Sequence, residues 1–414
     1  MHILYIHQFF MTRNGIGNTS CYEFARQWVA RGCRVTVVTA PNRRNAKRIG
    51  LTRRSVVDDI EVIEVNFDSA DYMRANSLGF MRRLQGSVGF AVASCLVVSR
   101  LPRADVAIVT SPPLSAGGAA IIASRAHRAP LVLELHDLWP DAPIQIGKLR
   151  SPLLIAMARC LERLIYRASS RVVALSPGLR DGVIATGFNP AHAFVVPVGS
   201  DLDLFTPDND GAAARERLGL GNRFVCSYFG AMGEANGLEP VVQAARILQE
   251  RHEAAVVFVL HGDGGQRARL AAFCAEHQLR NVVFSLPVED KRAIAELAAA
   301  SNVCLTVYRN VPSMHQASPA KLFDTFAAGR PAIVNCPGWL GDLVTRNDAG
   351  VFVPPDDPVA LAETVARLRT DPLLCARLGR NARCLAEREF DRRHLADRYL
   401  KILRDVTGCS PQAD

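Results

Sequence analysis

The feature that most constrains this 414-residue chain is a rhythm: short β-branched runs alternate with longer helix-period stretches almost from end to end. Runs at residues 3–7, 34–39, 60–65, 106–110, 131–135, 172–175 and 194–198 read as buried strands, each followed by a connection long enough to hold a helix. Parallel neighbours need such crossovers, so the order predicts a parallel sheet covered on both faces. The rhythm restarts at 223–229 and continues through 255–260, 282–285, 303–307, 331–335 and 351–353; helical patterns at about 358–370, 372–388 and 391–406 close the chain. Between the two series stands Phe205-Thr206-Pro207-Asp208-Asn209-Asp210-Gly211, a run of turn formers that marks a boundary. The fold class is therefore α/β with two Rossmann-like domains. We place them at residues 1–200 and 205–390, with the C-terminal helix at about 391–408 returning to the first. Sheets of this kind keep their ligand crevices at the carboxyl ends of the strands.

Hydrophobic residues at 49% and charged residues at 21% exclude a disordered, collagen-like or multi-span membrane protein. Eleven cysteines are scattered without metal-ligand spacing and read as small core residues in a reducing compartment, so the expected location is cytoplasmic. The start, Met1-His2-Ile3-Leu4-Tyr5-Ile6, reads as a strand and not as a signal peptide. The net charge of +9 is concentrated in residues 1–200, which hold 24 Lys and Arg against 13 Asp and Glu. Arg43, Arg44, Lys47, Arg48, Arg53 and Arg54 form one loop-like block without an acid; it is either a solvated loop or a site for anionic headgroups. The uncharged run 84–99, flanked by Arg82, Arg83 and Arg100, is shorter than the roughly 20 residues that cross a bilayer. It is a buried core helix or an interfacial one. Nucleic acid is excluded as a partner, because the basic half has neither aromatic interleaving nor a helix-turn-helix pattern.

Four segments could carry chemistry. Gly15 and Gly17, before the first helix at about Thr19, let backbone approach a ligand closely, although Ser20 breaks the dinucleotide fingerprint and leaves a plain tight turn open. Glu134-Leu135-His136-Asp137-Leu138-Trp139-Pro140-Asp141 follows an apolar strand, which places His136, Asp137 and Asp141 at its carboxyl end, either at a ligand or in a polar loop. Gly262-Asp263-Gly264-Gly265 forms a second backbone-rich turn. The most informative segment runs through Ser318-Pro319-Ala320-Lys321-Leu322-Phe323-Asp324 to Gly329-Arg330-Pro331. A helix starting near Ser318, with Pro319 in its first turn, offers N–H groups and the Lys321 charge to an anion, with Asp324 at i+3 on about the same face. An ordinary N-cap with an exposed ion pair is the alternative.

Taken together, these segments resemble the retaining GT-B glycosyltransferases of family 4, in particular bacterial enzymes that add N-acetyl-L-fucosamine and related sugars to envelope polysaccharide precursors such as O-antigen or capsule. The pattern S-P-x-K-x-F-D-x-x-A-A-G-x-P is matched from Ser318 to Pro331, and G-W-L by Gly338-Trp339-Leu340. The resemblance implies two domains facing across a cleft and a UDP-linked donor, with an N-acetylated deoxyhexosamine as one candidate sugar. It also implies a polyprenyl-diphosphate-linked or glycan acceptor, reached at the anionic inner face of the cytoplasmic membrane. Neither cofactor nor obligatory metal is implied. By the same resemblance Gly15 and Gly17 approach donor phosphates or acceptor, Gly230 and Gly262 bind the donor, and His136 meets the transferred sugar. The family's E-x7-E motif falls on Gln316, facing sugar hydroxyls, and Asp324, facing the ribose. Ser318, Pro319 and Ala320 open the donor-binding helix. Two departures stand out. Gln316 has no charge, and the usual Arg and Lys diphosphate clamps are Ala231 and Asn236. Lys321, with Arg309 or Arg330, is the expected replacement. Other readings are a nucleotide-sugar epimerase of the same fold and a non-catalytic nucleotide-sugar-binding scaffold.

Overall fold

The computed structural model describes residues 1–15, 17–41, 52–65, 80–287 and 290–409. It divides into two compact units. One takes Met1–Thr12, Asn18–Pro197 and the chain from Arg393; the other takes Arg13–Gly17 and Val198–Arg392.

The N-terminal unit is built on β1 (His2–Ile6), β2 (Arg34–Thr39), β3 (Thr52–Val57), β4 (Ile60–Val65), β5 (Val106–Ser111), β6 (Leu131–Leu135), β7 (Arg171–Ala174) and β8 (Ala193–Val195). Their order is β3-β4-β2-β1-β5-β6-β7-β8, parallel throughout except for β3 against β4. Every residue of β5 and β6 is buried, as strands covered on both faces require. Among helices of eight residues or more, α1 (Ser20–Val29) joins β1 to β2, α2 (Phe80–Val98) joins β4 to β5, α3 (Ala116–His127) joins β5 to β6, α4 (Pro152–Ala168) joins β6 to β7, and α5 (Pro177–Ala185) joins β7 to β8. The first of these steps runs one way along the sheet and the others run the opposite way. Right-handed crossovers therefore put α1 on one face and α2, α3, α4 and α5 on the other.

Two sequence expectations change here. Residues 52–57, expected in a basic loop, form an edge strand closed by Asp58-Asp59, both in the left-handed region with φ of 47° and 61°. Arg53 pairs with Glu64 at 3.9 Å and Arg54 with Glu61 at 3.8 Å, so these two cations answer acids on the neighbouring strand. Arg43, Arg44, Lys47 and Arg48 lie outside the described residues. All but the last residue of the run 84–99 belongs to α2, and the run is neither wholly buried nor wholly interfacial: Phe90, Ala93, Val97 and Val98 are buried while Val88, Val92 and Leu96 are exposed. Among the described residues no helix is long and apolar enough to cross a membrane.

The C-terminal unit stacks β9 (Phe224–Phe229), β10 (Val256–His261), β11 (Val282–Ser285), β12 (Val303–Thr306), β13 (Ala332–Val334) and β14 (Gly350–Phe352) in the all-parallel order β11-β10-β9-β12-β13-β14. Its helices are α6 (Glu239–Glu250), α7 (Arg267–Glu276), α8 (Lys291–Ala300), α9 (Ala320–Ala327), α10 (Trp339–Arg346), α11 (Pro358–Thr370) and α12 (Pro372–Leu385). A π-type turn at Ala386–Phe390 leads into α13 (Arg392–Thr407). Beyond Arg392 this helix belongs to the N-terminal unit. There Tyr399 meets Trp28 edge-on at 5.2 Å between ring centroids, and Trp28 Nε1 donates to Ala396 O at 3.2 Å. Leu395, Leu400 and Leu403 enter the same core as Tyr5, Phe24 and Val37.

The two ends of the C-terminal unit are tied by a buried guanidinium. Arg392 donates Nε to Val198 O and Nη2 to Gly199 O, both at 2.9 Å, and Nη1 to Asp201 Oδ2 at 2.5 Å. Lys291 Nζ reaches the same carboxylate at 3.3 Å. Burial alone would raise the Asp201 carboxyl, but the charges of Arg392, Lys291 and Arg13 outweigh it and hold the group at about 2.

Candidate functional site

At the carboxyl ends of β9 and β10 the backbone makes a cradle. Gly230 N donates to His261 O at 3.0 Å, Met232 N to Asp263 O at 2.9 Å, and Gly262 N to Ser285 O at 2.9 Å. Gly230 and Gly262 have φ of 142° and 149°, and a Cβ on Gly262 would collide with Gly230 O. Only glycine lets the two turns lie this close.

The floor of the cradle is Lys321, the second residue of α9. Its Nζ lies 3.1 Å from where a Gly230 Cβ would be, donates to Tyr228 Oη at 2.8 Å and to Asn236 Oδ1 at 3.4 Å, and stands 4.1 Å from the Tyr228 ring centroid. None of these partners carries a negative charge. Burial drives the ammonium down from 10.5 to about 7. Asn236 is thus a hydrogen-bond partner of Lys321. Beside it Ser318 Oγ is buried without a hydrogen-bond partner, and Pro319 caps α9 with no side-chain hydrogen bond. Such a helix start suits an anion.

The other expected donor residues fall as follows. Ala320 opens α9, two residues after the expected start, so Lys321 lies in the first turn. Lys321 and Asp324 do not form the ion pair left open by the sequence: Asp324 Oδ1 instead accepts from Ser200 Oγ at 2.6 Å, and burial raises its carboxyl despite Lys291 and Arg392 nearby. Gln316 ends the 3₁₀ turn Met314–Gln316 that precedes the Ser318-Pro319 corner. Arg309 is exposed, its N–H bonded to Ala235 O at 2.9 Å, and it borders the Gly233–Gly237 turn. Arg330 is corrected: it follows the C-terminal end of α9, opposite Lys321, where Nη2 donates to Ala299 O at 2.7 Å, and cannot share a ligand with the cradle. Gly15 and Gly17 lie in the segment that joins the C-terminal unit, where Arg13 O accepts from Lys291 N at 2.9 Å. Ser20 N, at the start of α1, donates to Asn18 Oδ1 at 2.9 Å.

In the N-terminal unit, the carboxyl ends of β1 and β6 bring together three groups of which the sequence reading singled out one. Glu134, 0% exposed, accepts from Tyr5 Oη at 2.7 Å and from His136 Nε2 at 2.6 Å. Burial would raise its carboxyl; the hydrogen bond and charge of His136, with His7 and Tyr5, more than reverse this and keep Glu134 ionised. An ionised acceptor holds a proton on His136 Nε2. His7 stands 6.1 Å from His136 between ring centroids. Its Nδ1 accepts Phe9 N–H at 3.3 Å, so its proton sits on Nε2, buried without a partner. Burial, followed by the neighbouring His136, lowers His7 to about 4. Asp137, on the same loop, is raised by burial to about 6. A lone glutamate ending a strand and a histidine after β1 carry no motif; the only available signal was their position at strand carboxyl ends. Among the described residues no group of three or more His, Cys, Asp or Glu is placed to hold a metal ion.

Residues 15–199 match the family model described as a glycosyl transferase 4-like domain, and residues 212–384 the model for glycosyl transferases group 1. WcaI of Escherichia coli strain K12, a protein named for glycosyl transfer in colanic acid biosynthesis, is 27% identical over 335 residues, covering 78% of this chain and 80% of its own. The alpha-D-kanosaminyltransferase of Streptomyces kanamyceticus is 24% identical over 289 residues, with 68% and 72% covered. Among solved structures, sucrose-phosphate synthase of Thermosynechococcus elongatus superposes with a TM-score of 0.77 at 19% identity, covering 99% of this chain and 100% of that one. Anabaena HepE, solved with UDP-glucose, gives 0.73 at 20%, covering 98% and 100%. With a glycosyltransferase model matched in each half and the two-sheet architecture shared along the whole length, the chain belongs to the GT-B glycosyltransferases of family 4.

Proposed function

We propose that the C-terminal unit binds the diphosphate of a nucleotide-sugar donor in the Gly230–Gly262 cradle, with Lys321 supplying the positive charge that two missing clamp residues would otherwise share. The observation that carries this is a buried ammonium, lowered to about 7, whose hydrogen-bond partners are all neutral. A leaving diphosphate develops charge that must be neutralised, and a preoriented cation in a dry site does so strongly. The reaction is transfer of a sugar with retention of configuration, His136 meeting the transferred sugar, Gln316 its hydroxyls and Asp324 the ribose. No metal or other cofactor is assigned.

The donor is UDP-linked in this reading, with an N-acetylated deoxyhexosamine as the sugar, and the acceptor is a polyprenyl-diphosphate-linked precursor or glycan in envelope polysaccharide synthesis on the cytoplasmic side of the membrane. The name of WcaI supports the pathway class, and the UDP-glucose held by HepE supports the base. Thermal unfolding with millimolar UDP, GDP, ADP and their sugars tests it, since a ligand of the native state raises the midpoint by mass action. A shift with UDP, largest with one UDP-sugar, is expected, followed by sugar transfer to acceptor. No shift with any of them sinks the donor assignment; a shift with release of free sugar alone turns the reading toward the epimerase branch of the fold.

A further inference from the structure

We propose that α2, α3 and α4 form a docking face for an anionic lipid bilayer. The inference gives the membrane-borne acceptor of the preceding section a place to be met, but it rests on different observations. Eleven large hydrophobic side chains are exposed among the described residues, and seven of them belong to these three helices: Val88, Val92 and Leu96, Ile122, and Leu153, Met157 and Leu164. The crossover sense puts all three helices on one face of the sheet, with α3 in contact with both α2 and α4. The opposite face carries α1 and α13, where none of the eleven occurs.

The pattern along each helix is a stripe. On α2 it runs 88, 92, 96, with Arg100 one step on. On α4 it runs 153, 157, 164, with the exposed Cys160 in line and Leu153 70% exposed. These spacings place each set on one side of its helix. A stripe that met only water would be an unexplained liability on a soluble chain.

Charge identifies the occupant. Residues 80–100, 115–128 and 148–168 hold ten Lys and Arg and one acid, Glu162, and that acid is buried against Arg159 and Tyr166. An apolar stripe bordered by cations, with no exposed acid on its helices, fits a bilayer interface: the apolar side chains enter the acyl boundary while the cations meet headgroup phosphates. A protein partner would not call for one sign of charge alone. A helix that follows a strand begins at the carboxyl edge of the sheet, so Arg82, Arg83, Lys148 and Arg150 border the edge that holds His136. There Ser87 of α2 donates to Gln8 Oε1 at 3.2 Å, next to His7. Docked through this face, the N-terminal unit brings its site to the headgroup plane, where an acceptor diphosphate would lie.

The test is co-sedimentation of the full chain with vesicles of phosphatidylcholine alone and with about one third phosphatidylglycerol. We expect affinity for the anionic vesicles at least ~10-fold above neutral ones, falling as salt rises. The double substitution Leu153→Glu with Leu164→Glu should lower it ~10-fold or more, whereas Leu286→Glu, on an exposed leucine of the other unit, should leave it unchanged. The UDP-induced thermal shift of each variant reports donor binding separately, so a failed donor reading and a failed docking face give different results. Wild-type chain that stays in the supernatant overturns the proposal, as does a double variant that sediments like wild type. A double variant that instead dissociates a lipid-free dimer assigns the face to a second copy of the chain.

Discussion

Lys321 makes opposite demands on stability and on binding, and that conflict is measurable. Between about pH 7 and 10.5 the unfolded chain carries a proton at this position that the folded chain lacks. Stability of the ligand-free protein therefore rises with pH through that window, by an amount on the order of a few kcal/mol. Lys321→Met should flatten this slope and raise the ligand-free midpoint near neutral pH while abolishing the shift with nucleoside diphosphate. A midpoint that falls by several degrees would mean the ammonium stabilises the fold instead. At the other cluster, Glu134→Gln should lower kcat by at least ~10-fold with donor binding intact, because an amide no longer fixes one His136 tautomer. Long-range ¹⁵N spectra of histidine-labelled protein should show His136 protonated on Nε2 in the wild type and a tautomer mixture in the variant; an unchanged spectrum removes the positioning role. Lys321 could be singled out from sequence because it lies in the first turn after Ser318-Pro319, where a helix start favours an anion. Glu134 could not be, since an acid within a strand carries no motif of its own, and its role as an acceptor shows only where Tyr5 and His136 enclose it.

Among the elements, the facing glycine turns after β9 and β10 are the least tolerant. Gly262→Ala adds a Cβ against Gly230 O at a φ that alanine avoids, and should cost about 2–4 kcal/mol of stability together with donor binding. Gly265→Ala, three residues on with nothing within 4 Å, should change stability by less than about 1 kcal/mol. Equal effects in chemical denaturation would show that the turns do not form as described. The strand rhythm exposed both sheets because buried parallel strands are nearly uninterrupted apolar runs, as the first five residues of β10 illustrate. It missed β3 for a physical reason: Arg53 and Arg54 sit on an edge, where charge is tolerated, and the turn is closed by Asp58-Asp59 in place of the Asn-Gly that signals a hairpin. The apolar run 84–99 could not be assigned one environment because α2 has two, one stripe buried and one exposed.

At the scale of the molecule, the C-terminal unit is an insertion whose ends are held together. Arg392 bonds Val198 and Gly199, and Ser200 bridges Asp391. A chain of residues 198–392 should therefore fold alone and unfold cooperatively, while a chain of residues 1–197 should not, because Leu395, Tyr399 and Leu403 complete its core. Adding a peptide of residues 391–409 should restore a cooperative transition to the shorter chain; a sharp transition without it would show that α13 is dispensable. Truncating Trp28 to Ala should cost about 3–5 kcal/mol in the full chain, since the indole packs between Phe24 and Tyr399 and bonds the backbone of α13. The same arrangement sets an order on synthesis. The first unit to leave the ribosome cannot close its core until α13 has been translated, whereas the inserted unit, emerging later, has all but its Arg13–Gly17 segment within one continuous stretch. The nascent N-terminal sheet must wait with the α1 face uncovered while about two hundred residues are added, which makes this open face the point at which chaperones would engage the growing chain.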